Sequence, residues 1–150
     1  KPSSAASDVY KRQGLSALML GDAFPNEIEA YLRGKGYSEE NKLAVDFVKV
    51  SHHGSRNNIS NTLLDIIDCV NYLISTNGGA KKSYHPDRET FANILCHKGR
   101  DKSQTVNFFF NYPLAKIEER VGKLFNDDDV ILNYLIYDNK NDLPNNLRIL

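Results

Sequence analysis

The chain has 150 residues, long enough to bury a core as one domain. Its 19 lysine and arginine residues equal its 19 aspartate and glutamate residues, so the formal charge is zero, which disfavours a protein that grips nucleic acid through a broad basic surface. A phosphodiester drawn into a metal pocket is not excluded, because there the metal supplies the positive charge.

Ser3–Gln13 has little apolar periodicity and joins abruptly to the first strand. It is similar to the translated adapter junctions found at broken ends of assembled environmental sequences. Residues 1–13 are therefore read as a non-native or disordered segment outside the fold, residues 14–150 as the domain, and the native protein is expected to continue upstream. Leu15–Leu20 reads as a short buried strand, and Gly21-Asp22 follows at once. A carboxylate directly after a buried strand is costly unless a cation or hydrogen-bond donors receive it; capping the next helix or turn is the other role open to Asp22. Asn26–Arg33 reads as a helix capped by Asn26 and stopped by Gly34 and Gly36.

Ala44–Val50 is a second strand that stops at two adjacent histidines, His52 and His53, followed by Gly54 and Ser55. The end of a buried strand is a stiff support for chemistry, and imidazole is both the commonest metal ligand and the usual proton carrier near neutral pH. Ser55 reads as a cap for the turn, since a nucleophile needs a paired base. Ser60–Cys69 is predicted as a helix, with Leu63, Leu64 and Ile67 at helical spacing. The strand Tyr72–Ser75 leads through Asn77-Gly78-Gly79 to His85-Pro86, and Asp87–His97 is a third helix, with Phe91, Ile94 and Leu95 on one side. His85 is open to two readings, a functional residue or an ordinary loop histidine. Lys81 and Lys82 read as solvated loop lysines, and His97, late in its helix, as a surface residue complementing the dipole. Cys69 and Cys96 lie in apolar-periodic segments and read as buried free thiols. That usage suits a reducing cytoplasm; no run reaches the length of a membrane span and no signal peptide is evident.

Beyond these, Thr105–Tyr112 is strand-like and Leu114–Leu124 an amphipathic helix. Asp127–Asp129 starts a further helix or precedes a strand through Val130–Tyr137, and Arg148–Leu150 looks like the start of another element. Strands alternating with helices indicate an α/β layer architecture. Ligands of open α/β sheets sit beyond the carboxyl ends of the strands, so Asp22, His52, His53 and His85 are placed to converge on one edge.

In order, Leu-Met-Leu-Gly-Asp (Leu18–Asp22), Val-Lys-Val-Ser-His-His-Gly-Ser (Val48–Ser55) and Leu-Ile-Ser-Thr-Asn-Gly…His-Pro (Leu73–Pro86) resemble the metallo-β-lactamase-fold hydrolases. Within them the likeness is to the branch of the bacterial competence protein ComEC and its soluble relatives, and it runs from Leu15 to His97. The resemblance implies an αββα sandwich of two similar halves, with a metal pair where strands of both halves end. The His-x-His/Asp-x-Asp-His motif of the first half has no counterpart among His52, His53, His85 and His97, the chain's only histidines. The chain therefore corresponds to the C-terminal half, and its implied partner is the N-terminal half of the same domain. By resemblance, Asp22 bridges two divalent metals, zinc or manganese, and His52 is a ligand of the second. His53 supports that ligand or contacts substrate, while His85 stands at the pocket mouth toward a substrate phosphate or leaving group. Such a metal pair makes hydroxide available near neutral pH for attack on phosphorus or a carbonyl carbon.

The implied activity is that of a phosphodiesterase or nuclease, with this chain alone inactive and holding metal weakly, because two ligands fall short of the three that a catalytic zinc normally has. The sheet face meant for the absent half is expected to be exposed. Two other functions stand beside it: a non-catalytic scaffold or interaction module with the same fold, and hydrolysis of a lactone or thioester. Fold does not settle substrate.

Overall fold

The computed structural model describes residues 8–12 and 14–138. Its centre is a six-stranded sheet in the order β1-β2-β4-β6-β7-β8, formed by Asp8–Arg12 (β1), Leu15–Met19 (β2), Phe47–Lys49 (β4), Asn71–Ile74 (β6), Val106–Phe110 (β7) and Tyr134–Tyr137 (β8). β1 is antiparallel to β2, and every other neighbouring pair is parallel. A two-stranded parallel sheet of Leu43–Ala44 (β3) and Ile67–Asp68 (β5) lies apart from it. The helices Pro25–Gly34 (α1), Asn61–Leu64 (α2), Arg88–Leu95 (α3) and Leu114–Val121 (α4) fall between strands. The protein is thus α/β with a mainly parallel sheet, as the alternation of elements predicts. Among the described residues no helix is long and apolar enough to cross a membrane.

Successive side chains of a strand point to opposite faces, and the register aligns those of this sheet into rows. Leu18, Val48, Tyr72, Phe108 and Ile136 stand side by side. They pack with Ile28 and Leu32 of α1, Leu63 and Leu64 of α2, Phe91, Ile94 and Leu95 of α3 and Ile117 of α4. Phe108 is the hub: its ring meets Phe91 edge-on with centroids 5.0 Å apart, and Phe125, Tyr72 and Tyr134 also surround it. The opposite face carries a smaller cluster of strand residues only, Ala17, Phe47, Leu73 and Phe109, with Met19 and Tyr137 packed against it. These four are buried rather than exposed; Phe109 and Tyr137 stack at 4.8 Å and Phe47 tilts over Phe109 at 6.0 Å, so the rings shield one another.

Several elements differ from the sequence reading, each for a local reason. Asp8–Arg12, set aside with the N-terminal segment, pairs residue for residue with β2 around Gly14, whose φ is +82°. The strand expected over Ala44–Val50 is two. Between them the Asp46 carboxylate accepts from the backbone and hydroxyl of Ser16, at 2.7 and 3.0 Å, and the chain steps from the small sheet into the large one. The helix expected over Ser60–Cys69 lasts one turn. Ser60 caps it, its hydroxyl accepting from Leu63 N–H, but Ile67-Asp68 then turns extended to pair with Leu43-Ala44. α1 begins one residue early because Pro25 fits its first turn, so Phe24 rather than Asn26 is the capping position. The acidic run opens a 3-10 turn, Asp127–Leu132, ahead of β8. Arg148–Leu150 lies outside the described residues.

Two side chains are corrected outright. His97 is buried, not a surface residue: α3 ends at Leu95, the chain turns back, and His97 Nε2 meets the Asp65 carboxylate at 2.7 Å. Cys96 is exposed, while Cys69 is half-buried with its thiol pushed up to about 12 by burial. Because the thiolate is the reactive form, a thiol reagent applied to the native protein should modify Cys96 quickly and Cys69 only on unfolding; equal rates would contradict the assigned burial. Phe108→Ala should cost about 3–5 kcal/mol in urea denaturation, as truncations of large core aromatics do.

Candidate functional site

β4 lies between β2 and β6, parallel to both, and β6 is parallel to β7. Their carboxyl ends must therefore share one edge. There β2 releases Gly21-Asp22, β4 the turn Ser51–Gly54, β6 the loop that leads to His85, and β7 Asn111.

The turn after β4 is unusual. His52, His53 and Gly54 all have positive φ, +45°, +56° and +87°, and for residues with a Cβ this left-handed region costs about 1–3 kcal/mol each. The cost is met by contacts on both sides. His52 N–H donates to Gly21 O at 2.9 Å. Ala23 O accepts twice, from the buried Ser51 hydroxyl at 2.8 Å and the buried Asn58 amide at 3.0 Å. Gly54 O accepts from the Thr90 hydroxyl and from Asp87 N–H, tying the turn to the start of α3. A Cβ on Gly54 would stand 2.6 Å from Pro86 Cβ, so glycine is required for closeness as well as for φ. Ser55 caps the following turn, its side chain accepting from Asn57 N–H.

These bonds fasten the residues flanking Asp22 to those flanking His52. Asp22 is exposed and stands outside the cap of α1, whose capping residue is Phe24 and makes no side-chain cap bond. The helix-capping alternative for Asp22 is thereby removed.

The histidines form one cluster: the ring centroid of His52 is 5.0 Å from that of His85 and 6.2 Å from that of His53. His53 Nδ1 lies 2.7 Å from Ser75 O; a carbonyl only accepts, so Nδ1 carries the proton and Nε2 is left for other partners. His85 Nδ1 is buried and 3.6 Å from Asp87 Oδ2, beyond hydrogen-bond length, and that oxygen already accepts from Arg56 N–H. The loop to His85 is well anchored. Thr76 donates its N–H to Asn111 Oδ1 and its hydroxyl to His85 O, and its hydroxyl accepts from Gly78 N–H, while Arg120 of α4 donates to Gly79 O. His53 and His85 thereby face a cavity of about 470 Å³ whose remaining walls include Thr76, Asn77, Ser83 and Asn111. Among the described residues no carboxylate lines it, and Lys81 and Lys82 are exposed in the same loop.

The structure thus brings Asp22, His52, His53 and His85 to one edge. The donors suit a divalent cation in type, and among the described residues no three His, Cys, Asp or Glu side chains group as a metal site. Sequence reasoning missed Ser51, Asn58, Thr76 and Asn111, the residues that hold the cluster. Asn57 and Asn58 look alike in sequence, and only burial separates them. No family model, curated protein or solved structure matches the chain. Gly54→Ala should lower stability by about 2 kcal/mol or more, from strain and from the contact with Pro86, read as a fall in denaturation midpoint; an unchanged midpoint would refute the described seating of the turn.

Proposed function

We propose that this chain is the C-terminal half of a metallo-β-lactamase-fold hydrolase of the ComEC-like branch, acting on phosphodiesters, nucleic acid included. The observation that carries this is the pair of bonds from Ser51 and Asn58 to Ala23 O, together with His52 N–H to Gly21 O, which hold the Asp22 turn against the His52 turn. In this reading Asp22 offers the bridging carboxylate and His52 an imidazole nitrogen, and the N-terminal half of the domain supplies the other ligands. A zinc or manganese pair, when bound, supplies an activated water. His53 and His85 line the adjoining cavity, His85 toward the substrate phosphate or leaving group and His53 as a substrate contact. Lys81 and Lys82 add positive charge near its mouth, and Tyr84 and Tyr112, both exposed, directly follow or precede pocket residues in the chain. Stacking of bases on exposed aromatic rings is worth about 1–3 kcal/mol per base.

A non-catalytic scaffold of the same fold is the other reading, and donor groups of fewer than three among the described residues are expected on both. The two readings part on the neighbouring half: a His/Asp-rich ligand motif there supports the enzyme, an unrelated segment the scaffold. The test is metal titration. The 150-residue chain should bind zinc and manganese weakly and turn over no substrate, whereas the chain joined to its complementary half should bind tightly. In that longer protein Asp22→Ala and His52→Ala should each weaken binding by more than the roughly 10–100-fold typical for loss of a supporting hydrogen-bond partner. Unchanged affinity in either variant, or stoichiometric tight metal in the short chain, would reject the assignment.

A further inference from the structure

We infer that Asn58 is a positioning residue that fixes the neutral His52 ring with its proton on Nδ1, leaving the Nε2 lone pair free at the strand-exit edge. The inference begins with Ala23 O. A carbonyl can only accept, so the Asn58 side chain must turn its NH2 toward it, as the 3.0 Å contact shows. Asn58 Oδ1 is then left facing His52 Nδ1, 3.2 Å away. An amide oxygen also only accepts, so the hydrogen between the two atoms belongs to His52. Asn58 is buried, so water does not compete for either end of its amide. The tautomer of His52 is therefore set by the carbonyl of the residue next to Asp22, relayed through one side chain. A rotation of the amide would set two acceptors against each other at Ala23 and abolish the relay.

Two other histidines provide internal standards. His53 donates from Nδ1 to Ser75 O, which fixes the same tautomer by an independent partner. His97 meets the Asp65 carboxylate through Nε2, which fixes the opposite one. The inference rests on the hydrolase reading only for the use made of the freed Nε2; the tautomer itself is readable without metal or substrate.

The experiment is ¹⁵N NMR of the histidine rings in the metal-free chain at about pH 8.5, some two units above the ordinary imidazole value. His52 and His53 should both show a protonated-type Nδ1 and an unprotonated-type Nε2, and His97 the reverse. In N58A the two His52 resonances should move toward an averaged position as the ring exchanges between tautomers, with His53 and His97 unmoved. In N58D, whose carboxylate still accepts from Nδ1, His52 should keep its assignment. A wild-type His52 protonated on Nε2 overturns the inference, as does an N58A spectrum in which His52 is unchanged or His53 shifts with it. Should either variant fail to fold, the wild-type spectrum still decides the tautomer. These outcomes are separate from the metal titration: a chain that shows the tautomer but binds no metal with its complementary half retains the relay and loses the hydrolase.

Discussion

The parallel register of β4 between β2 and β6 is the constraint on which the rest depends. It places Leu18, Val48 and Tyr72 side by side over the helices. With side chains alternating between faces, the same register sends all three chain exits to one edge. Had β4 paired antiparallel to β2, Asp22 and His52 would leave from opposite ends of the sheet; antiparallel to β6, His52 and the loop to His85 would. The core and the site are thus two consequences of one pairing. Burial of the Leu18–Phe108 row fixes the register, because a slip by one residue would turn that row outward.

Upon that frame the chain maintains a local strain. Two successive histidines in the left-handed region cost of order a few kcal/mol together. Around them are His52 N–H on Gly21 O, Ser55 N–H on His52 O, and Gly54 O with its two donors. At roughly 0.5–1.5 kcal/mol for each hydrogen bond, these contacts are of the same size as the strain, so the turn is held without drawing on the core. The geometry gained is specific: it stands the His52 ring between His85 and Asn58, where an extended continuation of β4 would alternate the two histidines to opposite faces.

Much of this was legible in the sequence, and the limits have physical causes. Strands β2, β4, β6 and β7 announced themselves as short apolar runs, and each site residue follows such a run. The stop of β3 at Ala44 was hidden because Val45 is as apolar as its neighbours; the step depends on Asp46 finding Ser16, which is thirty positions away. Ile67 fitted a helical pattern with Leu63 and Leu64, and only the partner strand Leu43-Ala44 decides between helix and strand. His97 was misplaced because its partner, Asp65, comes from another element. Asn58 was invisible for the same reason: its two contacts, Ala23 and His52, are tertiary, and an asparagine in a polar loop carries no sign of them.

The character of the cavity bears on the choice among substrates. A lactone or thioester is neutral at the reacting centre and needs mainly hydrogen-bond donors for the negative charge that develops on its carbonyl oxygen. A phosphodiester brings a full negative charge into the ground state, so any carboxylate on the pocket wall would repel it. Among the described residues this wall has none: it offers two imidazoles, hydroxyls, amides and close-approaching glycine backbone, with two lysines in the same loop. Tyr84, which precedes His85, has an exposed ring, a face that a nucleobase could use and a simple ester could not. Asp22, the carboxylate of the proposed site, sits on the neighbouring turn and not on the pocket wall. Under the proposed reading, separation of the acid from the pocket wall is therefore the feature that favours an anionic, base-bearing substrate.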